Sequence, residues 1–123
     1  MQQGNLSSQG TVNLDDLLTR VENDHELLRE LIVIFKKEFP RLLQALQYFV
    51  VSGDMKNVEA TSHALKGMLS GLSVTQAAAT AAQLEQMGRE GKTVEMADTL
   101  MLLEREVSGL FPELDGYAIE KKL

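Results

Sequence analysis

Cysteine and tryptophan are absent from this 123-residue chain, which holds two prolines and four phenylalanines. Without cysteine there is no disulfide framework, thiolate metal site or cysteine nucleophile. Histidine is nearly as scarce: only His25 and His63 occur, so a zinc site would need carboxylates to complete it. Two prolines and nine singly scattered glycines are too few turn residues for a β-sandwich. Long hydrophobic runs are missing as well. The longest, such as Leu31-Ile32-Val33-Ile34-Phe35, fall far short of the ~20 residues that span a bilayer. Residues 1–10 show no basic region followed by an apolar stretch, so a cytoplasmic location is expected. Positive charge is in deficit, 12 basic against 18 acidic residues. A net charge of −6 has the wrong sign for gripping nucleic acid or anionic lipid, and neither contact is expected.

What is present is helical periodicity. The length suits one domain, with residues 1–12 as a flexible linker or tail, a bundle over 13–111 and a C-terminal extension over 112–123. Asn13 is placed to cap a short helix over 14–21, with Asp15 and Asp16 favourable to its dipole. Asn23, with Glu26 three residues on, predicts the start of a second helix. Its apolar stripe runs Leu28, Leu31, Phe35, Phe39, Leu42, Leu46, Phe49 and keeps phase across Pro40, so one kinked helix to about Val51 is expected. A third helix over about 54–72 has Val58, Leu65, Leu69 and Leu72 on its core side. Ser73-x-x-Gln76 reads as a capping box for a fourth, which carries Ala77, Ala81 and Leu84 inward. A fifth begins at Thr93, buries Met96, Leu100, Leu103, Val107 and Leu110, and is ended or kinked by Pro112. The expected fold is all-α: an antiparallel four-helix bundle with a short N-terminal helix.

Catalytic motifs are few. Neither the paired Glu-x-x-His of di-metal bundles nor the zinc-protease motif occurs, since His25-Glu26-Leu27-Leu28 is followed by Arg29. No glycine-rich phosphate loop or nucleophile elbow is visible. His63 is better placed. At roughly 100° per residue, His63, Lys66, Gly67 and Ser70 cluster roughly 130° from the apolar stripe of the third helix. Glycine inside a helix costs ~1 kcal/mol relative to alanine, and Gly67 has no cap or turn to justify it. A bare patch beside an exposed imidazole suits close approach by another molecule and phosphoryl transfer to the ring nitrogen, with Lys66 as a point cation for phosphate. The bland alternative is an ordinary surface histidine and a glycine that only serves packing. His25, in the first turn of the second helix with nothing basic or glycine-like beside it, reads as a residue without a role.

Thr61-Ser62-His63-Ala64-Leu65-Lys66-Gly67 resembles the His-x-Leu-Lys-Gly signature of histidine-containing phosphotransfer domains. The stretch from Leu27 through Phe39-Pro40 is similar to that family's preceding helix. Leu84-Glu85-Gln86-Met87-Gly88-Arg89-Glu90-Gly91 is similar to its Leu-Glu-x-x-Gly-Arg-x-Gly segment, so the likeness covers about residues 14–111. The resemblance implies a phosphorelay intermediate without kinase activity of its own. It would accept a phosphoryl group on His63 from a receiver-domain aspartyl phosphate and pass it to another receiver. Lys66 and Arg89 would face the phosphoryl group, Glu85 would orient the histidine, and Gly67, Ser70 and Met68 would meet the partner. No cofactor or metal is implied for this chain, because Mg2+ belongs to the response-regulator receiver. The preferred setting is a domain of a hybrid sensor kinase, itself membrane-anchored or not, with covalently linked kinase domains as further partners; in isolation a monomer is expected. Two alternatives stand beside it: the phosphotransfer domain of a chemotaxis-type kinase, and a helical interaction module with no covalent chemistry. Glu85 and Arg89 have their own plainer reading, as an i,i+4 pair on a solvated helix face.

Overall fold

A computed structural model describes residues 12–121, so the linker expected over 1–12 lies, but for Val12, outside the described residues. Six helices follow in order: α1 (Leu14–Arg20), α2 (His25–Ser52), α3 (Met55–Gly71), α4 (Thr75–Glu90), α5 (Met96–Val107) and α6 (Leu110–Lys121). There is no strand among the described residues. The long helices α2 to α5 are joined by short turns and pack as successive neighbours, which makes them antiparallel. None of the described helices is long and apolar enough to cross a membrane.

The core follows the apolar stripes. Leu28, Phe35, Phe39 and Leu46 of α2 meet Val58, Leu65 and Leu69 of α3, with Ala77, Ala81 and Leu84 of α4 and Leu100, Leu103 and Val107 of α5 closing it. Leu31, Leu42 and Phe49 are only partly buried, while Ile32, outside the expected stripe, is in the core. α2 runs unbroken through Pro40. At its end Gly53 takes a left-handed conformation (φ 74°), which glycine adopts without strain, and Asp54 caps α3 by accepting from Asn57 N–H.

Several helix boundaries differ from the sequence reading, each for a local reason. Asp24, not Asn23, caps α2, accepting from Leu27 N–H; Asn23 sits at φ 61° in the turn that precedes it. Ser73 does not cap α4. It is buried at φ 59°, and its hydroxyl donates to Asp16 of α1 instead, at 2.6 Å. That bond, with Arg20, holds the Asp16 carboxyl below its usual range. α5 starts at Met96 and ends at Val107, ahead of Pro112. Pro112 lies in the first turn of α6, where a missing N–H leaves no helical bond unmade. α6 therefore crosses the boundary expected after residue 111. Its Leu114 is 2% exposed, and Phe111 lies 5.7 Å from Phe35 and 6.2 Å from Phe39, ring centre to ring centre.

The start of the described chain, the α3–α4 turn and the first turn of α6 meet at one pole of the bundle. Asn13 N–H donates to Ser73 O at 3.0 Å, and Val12 N–H to Glu113 Oε2 at 3.3 Å. Partial burial raises the Glu113 carboxyl above its ordinary range. Lys36 of α2 pairs with Asp115 of α6.

Candidate functional site

The seam between α3 and α4 is the most extensive helix contact of the bundle. Small residues make it close: Ser62 is fully buried on α3, and Ala77, Ala78 and Ala81 are buried on α4. The helices come to backbone contact where Gly88 faces Glu59 and Met55; among the described residues it is the one glycine whose added Cβ would meet anything within 4 Å. A Cβ there would lie 2.8 Å from the Glu59 backbone nitrogen and 3.0 Å from the Met55 carbonyl oxygen. The two backbones touch, and only glycine fits.

One turn above that contact, Glu85 projects between the helices, 7% exposed. Its Oε2 lies 2.9 Å from His63 Nδ1 and 3.1 Å from Arg89 Nη2, and its Oε1 lies 2.8 Å from Lys66 Nζ. The Lys66 hydrogen bond, seconded by His63, outweighs burial and keeps the Glu85 carboxyl below its ordinary range. An ionised carboxylate can only accept, so Nδ1 carries the ring hydrogen and donates it. The Nε2 lone pair is then the free nucleophilic position, on a side chain that is 66% exposed. His63, Lys66, Glu85 and Arg89 thus form one connected group, although 22 residues separate His63 from Glu85. The i,i+4 contact between Glu85 and Arg89 also exists, as one edge of that group.

Glu59 is a member that sequence reasoning did not single out. Its Oε2 accepts from Arg89 Nε at 2.9 Å, which strengthens the guanidinium's hold on its proton, while Arg89 Nη1 donates to Gln86 Oε1 at 2.9 Å. Helical phase puts Glu59 one turn before His63, but nothing in the sequence pairs it with a residue 30 positions away.

Gly67 is exposed, and a Cβ at that position would meet nothing within 4 Å. The packing explanation for this glycine is excluded, since no atom of the described chain needs the space. Ser70 and Met68 are half-buried. Met68 and Gly71 border an apolar groove between α2 and α3, whose far wall is Leu31, Ile34 and Phe35. His25 stands exposed at the first residue of α2, and its side chain makes no hydrogen bond or ion pair among the described residues. Among the described residues no group of three or more His, Asp or Glu could hold a metal ion.

In a comparison with protein families, the model of the Hpt domain aligns with residues 30–113, about two thirds of the chain. No curated protein and no solved structure matches.

Proposed function

Because the chain belongs to the Hpt domain family, whose members carry phosphoryl groups on histidine in two-component phosphorelays, we propose that His63 is its phosphoryl-accepting residue and that receiver domains are its donors and acceptors. The observation that carries this reading is the His63 ring itself, on an exposed side chain, with Nδ1 tied to a buried carboxylate so that Nε2 is left with the lone pair.

The step balances with these groups. The Nε2 lone pair attacks the phosphorus of an aspartyl phosphate, the bond from phosphorus to the aspartate oxygen breaks, and the aspartate leaves as a carboxylate. Nδ1 keeps its hydrogen throughout. The ring gains a positive charge, which the Glu85 carboxylate 2.9 Å away offsets. Lys66, one turn on from His63, exchanges Glu85 Oε1 for the phosphoryl oxygens as a point cation. The reverse sequence delivers the group to a second receiver. Mg2+, needed where the aspartyl phosphate is made and broken, resides in the receiver. Gly67 lets the partner backbone come close to the ring, and the groove beside Met68 takes part of the partner's apolar surface.

Incubation with a phosphorylated receiver domain tests this. Acid-labile phosphate is expected on the wild type and none on His63→Gln. Label that persists on the glutamine variant overturns the site assignment; no label from any of several receivers of the same organism favours an interaction module.

A further inference from the structure

Arg89 is more fully engaged than a cation kept for phosphate. Its Nη2 donates to Glu85 Oε2, its Nη1 to Gln86, and its Nε reaches across the seam to Glu59. Glu85 meanwhile serves three donors with two oxygens: Oε1 takes Lys66, and Oε2 takes both His63 and Arg89. The geometry most favoured between a guanidinium and a carboxylate is bidentate, two parallel N–H bonds to both oxygens. An Arg89 free to adopt it on Glu85 would displace Lys66, His63 or both. The Glu59 contact on Nε closes the side-on edge of the guanidinium and the Gln86 contact on Nη1 engages the end-on edge, so that Nη2 alone is aimed at Glu85. The position of Glu59 is in turn fixed by its backbone, which lies directly on Gly88.

We propose that Glu59 is a positioning residue: by holding Arg89 across the seam it limits Arg89 to one hydrogen bond on Glu85 and reserves the rest of that carboxylate for His63 and Lys66. The inference rests on the reading of His63 as the phosphoryl acceptor, but its first readout does not. In the unphosphorylated chain, the ¹⁵N shifts of the His63 ring report which nitrogen carries the hydrogen. In the wild type they show Nδ1–H. In Glu59→Ala the released guanidinium competes for Glu85, the shifts move toward the mixture typical of a free imidazole, and phosphoryl acceptance slows several-fold. Glu59→Gln, whose amide oxygen still accepts from Nε, recovers much of both. Adding Arg89→Ala to Glu59→Ala removes the competitor and restores the Nδ1–H shifts and most of the rate, which the loss of a merely structural clip would not do. Unchanged shifts in Glu59→Ala, or a double variant no better than the single one, overturn the proposal. So does an Arg89→Ala variant that loses acceptance with unaltered shifts, because Arg89 would then act on the phosphoryl group directly. Wild-type shifts of the Nδ1–H form together with no phosphate on His63 count against the phosphorelay reading alone and leave the positioning role standing. Matching helical circular dichroism and melting curves exclude unfolding as the cause.

Discussion

The two sides of α3 are built on opposite plans. Toward α4 the helix is sealed: backbone lies on backbone at Gly88, and the rim is a connected set of charges around Glu85. Toward α2 the contact is apolar and incompletely filled, leaving a groove between Ile34 and Phe35 on one helix and Met68 and Gly71 on the other. Ile34, which borders it, is 55% exposed and Val33 59%. A single helix thus holds an imidazole in fixed orientation from one flank and offers unfilled apolar surface on the other. In the proposed relay this divides the labour. Orientation of the nucleophile depends on the sealed side, recognition of the partner on the open side, and either can change without disturbing the other.

Gly88→Ala is the sharpest way to break that contrast. Its Cβ would press on backbone atoms that cannot yield, and overpacking of this kind costs about 1–3 kcal/mol even with the better helix propensity of alanine; urea unfolding measures it. The displaced Glu59 and Glu85 should also shift the His63 ring resonances. Gly67→Ala is the counter-experiment on the exposed face. Its Cβ meets nothing, so a gain of up to ~1 kcal/mol is expected from helix propensity. The larger Gly67→Gln should slow transfer from a receiver while leaving the fold at least as stable. A rate unaffected by Gly67→Gln would refute close approach as the reason for this glycine.

Acid separates the two sides more gently. The folded-state Glu85 carboxyl is held below its ordinary value, which is about 4.3, so the unfolded chain binds the proton more readily. The stability this contributes is complete above that ordinary value and fades as pH falls through the lowered one. Glu85→Gln should flatten that part of the stability profile, measured by thermal unfolding from neutral pH to about pH 3. Substitutions lining the groove, which has no titratable group, should leave its shape unaltered. The smallest effect on stability is expected from Ile34→Ser. At an exposed position it should change the unfolding free energy by no more than about 0.5 kcal/mol. Its consequence should lie in receiver affinity instead, read by titration calorimetry; undiminished affinity would remove the groove from the docking surface.

Much of this was legible in the residues, because apolar periodicity is a local signal and the core of a helical bundle is its sum. Val58, Leu65 and Leu69, or Leu100, Leu103 and Val107, are buried as their spacing predicts. The misread boundaries share a different cause. Asn23 and Asp24 are both good caps, and the turn geometry, with Glu22 and Asn23 at positive φ, selects the second. Ser73 has the chemistry of a cap but spends its hydroxyl on Asp16, 57 residues away. The same limit applies at the site. The clustering of His63, Lys66 and Gly67 follows from helical phase, whereas the bond from Arg89 to Glu59 depends on how closely two helices approach. That distance is set by a glycine whose importance appears only when the facing backbone is in view.

The hydrogen bond from Val12 to Glu113 has a topological consequence. It joins positions 101 residues apart in sequence, so the segment leading into α1 and the first turn of α6 meet at one pole of the bundle. Linking the end of α6 back to Val12 by a bridge long enough to run along that helix, and cutting the chain at the Gly53–Asp54 turn at the opposite pole, would give a permuted molecule. All four long helices would remain whole, and α3 and α4 would still be connected through Ser73. The geometry around His63, built by α3 and α4, is expected to survive that rearrangement.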